Sequence, residues 1–133
     1  MKPENLRFAK THEWVALDSA AAGGPIATIG VSAFAVEALT DLVFMQLPEV
    51  GRQFKAGESF GEIESVKAVS DLYCPIAGEV AAVNSSLPDN LETLNQDPYG
   101  AAWLIKLKVA PDAKLDSLLD YAAYQKQVAE EGH

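Results

Sequence analysis

Lys67 lies in the stretch Gly61-Glu62-Ile63-Glu64-Ser65-Val66-Lys67-Ala68-Val69-Ser70-Asp71, with carboxylates on both sides of it in a pattern that reads as a β-hairpin. A lysine on a hairpin loop is most often a solvated charge, and the rest of the chain has to displace that reading. Other groups able to do chemistry are few. His12 and His133 are the two histidines and neither stands in a spaced ligand cluster, so a zinc site has little support. Cys74, the single cysteine, excludes an internal disulfide and a CxxC motif; next to Pro75 it is expected to be a packed thiol rather than a nucleophile. The run from Gly57 to Gly61 lacks the spacing of a phosphate-binding loop. With no self-sufficient active site, a lysine at the crest of a hairpin suits covalent attachment of a cofactor. The tip is open to a modifying enzyme and to later partners, while two strands fix the base of the side chain. Lysine extended by an acyl chain makes an arm of about 10 to 15 Å, built from bonds of about 1.5 Å.

The elements that must position this lysine are legible as short strands. Trp103 to Val109 alternates, with Trp103, Ile105, Leu107 and Val109 on one face and Lys106 and Lys108 on the other. Trp14–Leu17 and Ile26–Ile29 read as a hairpin with a loose tip ending in Gly23-Gly24-Pro25. Leu42 to Leu47 is apolar on both faces except at Gln46, which predicts a central strand stopped by Pro48-Glu49-Val50-Gly51. A short helix is expected over 32–39 with Ser32 as its cap. A second runs from Asp120 with Tyr121, Tyr124, Gln125 and Val128 at helical spacing, ending at Gly132. Ala56-Gly57-Glu58 and Ala77-Gly78-Glu79 echo each other on either side of Lys67, as Gly-bounded turns around a pair of strands would. The frame is therefore a β-rich sandwich or barrel with short helices.

A chain of 133 residues with 49% hydrophobic content fits one domain, 1–133. Its formal net charge of -9 has the wrong sign for binding a phosphate backbone or an anionic membrane surface. No apolar run reaches the roughly 18 residues of a membrane span, and the N-terminal MKPENLRFAK has no signal-peptide character. A soluble, cytoplasmic protein is expected, with no nucleic-acid or membrane partner and no metal, acting as a monomer.

Glu64-Ser65-Val66-Lys67-Ala68, followed by Ser70-Asp71, Pro75 and Gly78-Glu79-Val80, resembles the lipoyl-lysine signature of the glycine cleavage system H proteins. Thr11-His12-Glu13-Trp14-Val15, Ile29-Gly30-Val31, Leu47-Pro48-Glu49-Val50-Gly51, Val83-Asn84, Leu94-Asn95, Pro98-Tyr99-Gly100, Trp103, Leu118-Leu119-Asp120 and Tyr124 follow in the family's order. The resemblance thus spans nearly the whole chain. Generic lipoyl domains usually carry Asp-Lys-Ala at this loop and biotin carriers Met-Lys-Met, neither of which matches Val66-Lys67-Ala68.

The resemblance implies a mainly β barrel-sandwich hybrid of two antiparallel sheets with short helices and a C-terminal helix. It implies a non-catalytic carrier with lipoate on Lys67, shuttling an aminomethyl group from glycine decarboxylase (P-protein, pyridoxal phosphate) to aminomethyltransferase (T-protein, tetrahydrofolate). Dihydrolipoamide dehydrogenase (L-protein) and a lipoyl-attaching enzyme complete the partners. Glu64 and Asp71 are implied as guides for that enzyme or as arm contacts, against the alternative that they only keep the tip soluble. A loaded arm folded back into a cleft would meet Thr11, Glu13 and Asp71, with Glu13 the main counter-ion, Asp71 the second and Thr11 a hydrogen-bond partner; by itself, Glu13 beside Trp14 reads as a solvated charge. The chain departs from the family at Phe34, Val36 and Ala38, where polar residues are frequent, at Thr40 in place of a common glycine, and at Gln46 in place of an acid. Those departures keep open a lipoyl carrier or lipoyl donor serving another pathway, beside an interaction domain in which Lys67 is an ordinary lysine.

Overall fold

The computed structural model describes residues 2–20, 23–113 and 115–131. In chain order these form β1 (Arg7–Phe8), β2 (Glu13–Asp18), β3 (Ile26–Val31), α1 (Ala33–Leu39), β4 (Leu42–Gln46), β5 (Gln53–Phe54), β6 (Ser59–Ser65), β7 (Val69–Tyr73), β8 (Gly78–Val83), α2 (Glu92–Gln96), β9 (Ile105–Lys108) and α3 (Tyr121–Glu131). Six strands make one antiparallel sheet in the order β1-β2-β3-β9-β8-β5, and β4-β6-β7 make a second. Inward-facing residues of both sheets, among them Val15, Ile29, Met45, Ile63, Leu72, Val80 and Leu107, form the main core. This is the mainly β barrel-sandwich hybrid with a C-terminal helix that the resemblance implies.

Beneath α3 a smaller cluster of Leu6, Phe8, Trp14 and Tyr124 docks the helix on the outside of the larger sheet. The Phe8 and Tyr124 rings stack with centroids 4.3 Å apart. Asp120 caps α3 as expected, its Oδ1 accepting from the Ala123 N–H at 2.8 Å. Tyr124 is buried and Tyr121 and Val128 are half-buried, whereas Gln125 stands exposed at the edge of the stripe. Ser32 likewise caps α1, accepting from the Ala35 N–H at 3.2 Å.

Three expectations from the sequence change. Leu42–Gln46 is an edge strand, because the sheet it joins has only three strands and β6 occupies the middle. Met45 is buried in the core and Leu42 packs against it, but Val43 is left 52% and Phe44 49% exposed. The C-terminal strand begins at Ile105, not Trp103: Leu104 and Ile105 are both fully buried, so the alternation breaks there and Trp103 falls against the α3 cluster, with Lys106 Nζ 5.0 Å above its ring. The two Ala-Gly-Glu echoes are not equivalent turns. Gly57 has φ of +90°, whereas Gly78 starts β8, where a Cβ would lie 2.6 Å from the Lys108 carbonyl. The tip residues Ala21 and Ala22, and the Gly132 stop with His133, lie outside the described residues.

Candidate functional site

The hairpin β6–β7 presents Lys67. Three residues, Val66 to Ala68, connect the strands, and all three are exposed. Ser65, which the sequence reading passed over, holds the turn from below. It is buried, its N–H donates to the Ala68 carbonyl at 2.8 Å, and its Oγ accepts from the N–H groups of Lys67 at 3.4 Å and Ala68 at 3.2 Å. The short polar side chain after Glu64 was the available signal, since Ser favours such local turns. A further tether crosses to the α1–β4 connection, where the Asp41 carbonyl accepts from Val66 N–H at 3.0 Å. Below the turn, a Cβ on Gly61 would collide with the Gln46 carbonyl, so that glycine lets β4 lie close against β6. The root of Lys67 is thereby fixed while its amine stands in solvent.

Glu13 is placed very differently. It opens β2, is 1% exposed, and accepts two hydrogen bonds: Oε1 from the Thr11 hydroxyl and Oε2 from the Tyr73 N–H at 3.1 Å. The second bond ties the larger sheet to the outer edge of β7. Burial pushes the Glu13 carboxyl above its usual range, and the bonds from Thr11 and Tyr73 pull it back part of the way. Glu13 is therefore not the solvated charge that its sequence position suggests. Nothing local betrays this, because the group that buries it comes from 60 residues away.

Thr11 and Glu13, with His12, Ser70, Asp71 and Leu72, line one cavity of about 200 Å³. Its remaining wall is apolar and comes from β3, α1 and β6, including Phe34, Ala38, Leu39 and Ile63. Asp71 is exposed on β7 and accepts from the Tyr73 hydroxyl at 3.4 Å. The three residues expected around a folded-back arm are thus brought together. Glu64 is not among them. It sits between Phe44 and Val69 in the ladder and does not line the cavity. Four residue steps through the turn and into β7 lead from Lys67 to Asp71, at most about 14 Å even if fully extended, which lies within the reach of about 10 to 15 Å of an acylated lysine.

The departures in α1 have distinct places. Val36 is buried in the main core, so its apolar character serves packing, while Phe34 and Ala38 face the cavity. Thr40 ends the helix at φ of +61°, a conformation uncommon for a β-branched residue and easy for glycine. Cys74 is 1% exposed, its thiol donates to the Ile76 carbonyl at 3.1 Å, and burial pushes its pKa up to about 11. It is the packed thiol expected. Among the described residues, no group of three or more His, Cys, Asp or Glu could hold a metal ion, and no helix is long and apolar enough to cross a membrane.

A fixed hairpin with an exposed lysine at its tip, carried on two antiparallel sheets, defines a domain of the lipoyl- and biotinyl-carrier architecture. The family model described as glycine cleavage H-protein matches residues 6–131. A glycine cleavage system H protein from Rhodopirellula baltica is 57% identical over 98% of this chain and 97% of its own length. Another from Chromohalobacter salexigens is 54% identical over 97% of this chain and 95% of its own. The crystal structure of a glycine cleavage system H protein from Mycobacterium marinum superposes with a TM-score of 0.84 at 40% identity, covering 96% of this chain and 99% of that one. The chain belongs to the glycine cleavage H-protein family.

Proposed function

We propose that this chain is the lipoyl carrier of a glycine cleavage system, bearing lipoate in amide linkage on Lys67 and acting in the cytoplasm between glycine decarboxylase, aminomethyltransferase and dihydrolipoamide dehydrogenase. The observation that carries the reading is the pairing of an exposed, rigidly rooted lysine with a buried carboxylate in an apolar cleft within reach of one arm. A lipoyl group supplies a dithiolane able to take up and give up an aminomethyl group. The chain's own residues do the rest. Ser65 and Asp41 hold the root of the arm, and the apolar wall of Phe34, Ala38 and Leu39 suits a hydrocarbon stem.

Glu13 has the chemistry to protect the load. An aminomethyl group on sulfur is lost when its nitrogen lone pair expels the thiolate, and a protonated nitrogen has no lone pair to give. A carboxylate held beside the amine favours the ammonium form and raises its pKa, and each unit slows the leak about tenfold. Thr11 and the Tyr73 N–H keep that carboxylate aimed, and Asp71 adds a second negative charge at the rim. Glu64, partly exposed at the end of β6 near the turn, would serve to guide the lipoyl-attaching enzyme.

The test is bicarbonate exchange into glycine with a glycine decarboxylase, comparing the lipoylated chain with Lys67→Arg. The carrier reading predicts exchange with the first and none with the second. A lipoylated chain that supports no exchange would favour a lipoyl carrier or donor for another pathway, and a chain that is never lipoylated would favour a plain interaction domain.

A further inference from the structure

His12 separates Thr11 from Glu13 and takes no part in the function proposed above, yet it has the more demanding backbone of the three. Its φ is +83°, in the left-handed region that non-glycine residues enter only when their surroundings hold them there. That turn is what lets two side chains on neighbouring odd positions meet, the Thr11 hydroxyl on the Glu13 carboxylate, instead of standing apart as they would along a strand. The β1–β2 turn and Ser32 hold that backbone: the Ala9 N–H donates to the Glu13 carbonyl at 2.8 Å, the His12 N–H to the Ala9 carbonyl at 2.9 Å, and the Ser32 N–H to the His12 carbonyl at 2.9 Å. The side chain, in turn, is held from α3. His12 Nδ1 is 2.7 Å from the Tyr124 hydroxyl, which is 2.5 Å from Ser32 Oγ, the cap of α1. His12 Nε2 is 3.3 Å from Glu131 Oε2, and Gln127 donates to the Lys10 carbonyl at 2.9 Å. The His12 ring also lies 5.3 Å from the Phe34 ring, at the cavity wall.

One arrangement of protons satisfies every member with a neutral imidazole. Ser32 accepts from Ala35 N–H and donates to Tyr124, Tyr124 donates to Nδ1, and Nε2–H donates to Glu131. A chain of bonds thus runs from the last turn of α3, through His12, to the first turn of α1, and the Thr11–Glu13 pair hangs on its middle. We propose that His12 is a positioning residue through which the C-terminal helix fixes the Thr11–Glu13 hydroxyl–carboxylate pair at the cavity. The helix is then part of the protective site, although none of its residues lines that cavity. This inference deepens the carrier reading, since it assigns α3 a part in the proposed cleft.

The test uses the unmodified full-length chain, so its outcome does not depend on lipoylation. Tyr124→Phe removes one hydroxyl and keeps the ring stacked on Phe8, whereas Val128→Ala loosens the packing of α3 and leaves the relay intact. The ¹⁵N shifts of the His12 imidazole report its tautomer, and the ¹³C titration of the Glu13 carboxyl reports how well the carboxylate is enclosed. Wild type should show a single tautomer protonated on Nε2. Tyr124→Phe should lose that preference and lower the Glu13 midpoint toward the ordinary carboxylate value as water reaches it. His12→Asn, which tolerates the left-handed backbone but cannot span from Tyr124 to Glu131, should lower it as well. Val128→Ala should leave the midpoint in place even if it melts earlier. The proposal is overturned if Tyr124→Phe leaves the Glu13 midpoint unmoved, or if Val128→Ala moves it as far. Either result would leave the carrier reading standing, because the exchange assay decides that separately.

Discussion

The Lys67 hairpin and the Thr11–Glu13 cleft are opposite solutions to placing one ionisable side chain. At the hairpin the charge is in water, its backbone is held by its neighbours, and the whole device lies within Ser65 to Ala68, with one tether to Asp41. In the cleft the charge is buried, and its partners come from the β1–β2 turn, β7 and, through His12, α3. The first device is cheap in stability and needs to be accessible. The second works against burial of a carboxylate and persists because Thr11 and Tyr73 satisfy it. On the proposed reading, attachment of an arm is written in a few consecutive residues, whereas shelter for its load requires the assembled fold.

The sharpest break between the two regions is Lys67→Arg. It should abolish lipoylation and all carrier turnover while leaving the melting temperature unchanged, because one exposed cation replaces another and nothing in the cleft is touched. Intact mass together with thermal unfolding checks both halves.

Glu13→Gln should do the reverse. It should be lipoylated and loaded normally but release ammonia and formaldehyde faster from the isolated aminomethylated protein, by about tenfold for each unit of amine pKa the carboxylate had supplied. Its stability should change in a pH-dependent way. Burial raises the folded pKa of Glu13 above its unfolded value, so between those values the native chain binds more protons than the unfolded one. Wild type therefore loses stability as pH rises through that window, and the neutral variant does not. Glu13→Gln should be the more stable protein at neutral pH, measured by urea unfolding across a pH series, while being the poorer guardian of its load.

Two smaller changes test the hairpin's independence. Ser65→Ala removes the acceptor of the Lys67 and Ala68 N–H groups and should cost about 1 kcal/mol, with slower lipoylation and no change in the Glu13 titration. Thr40→Gly relieves the positive φ beside the Asp41 tether and should stabilise the chain by about 0.5–1 kcal/mol, with lipoylation unaffected.

The same contrast explains how much of the molecule was legible in its sequence. Lys67, its hairpin, the two helix caps at Ser32 and Asp120 and the packed Cys74 all follow from local chemistry, and each is where the residues put it. Two failures are failures of context. Leu42–Gln46 looks central because its composition is apolar, but composition does not say how many strands flank it, and Val43 and Phe44 remain exposed. Trp103 continues the alternation of its strand in sequence but leaves it in space, because a second cluster under α3 competes for the indole. Glu13 shows the limit most clearly. Beside Trp14 it reads as a surface acid, and only the resemblance marked it, since its burial depends on Tyr73 and a cavity closed by α1. His12, with a backbone angle that no pattern of residue types announces, was legible neither way.

The account rests on one arm joining the two regions, and the amide spectrum of the chain shows that most directly. Comparing the lipoylated protein before and after loading with the aminomethyl group, the largest shifts should fall on residues 11–13, Phe34 and residues 70–72, with little change beyond. Shifts confined to residues 65–69 would mean that the load stays at the hairpin tip in solvent, and would contradict the sheltering role of Glu13.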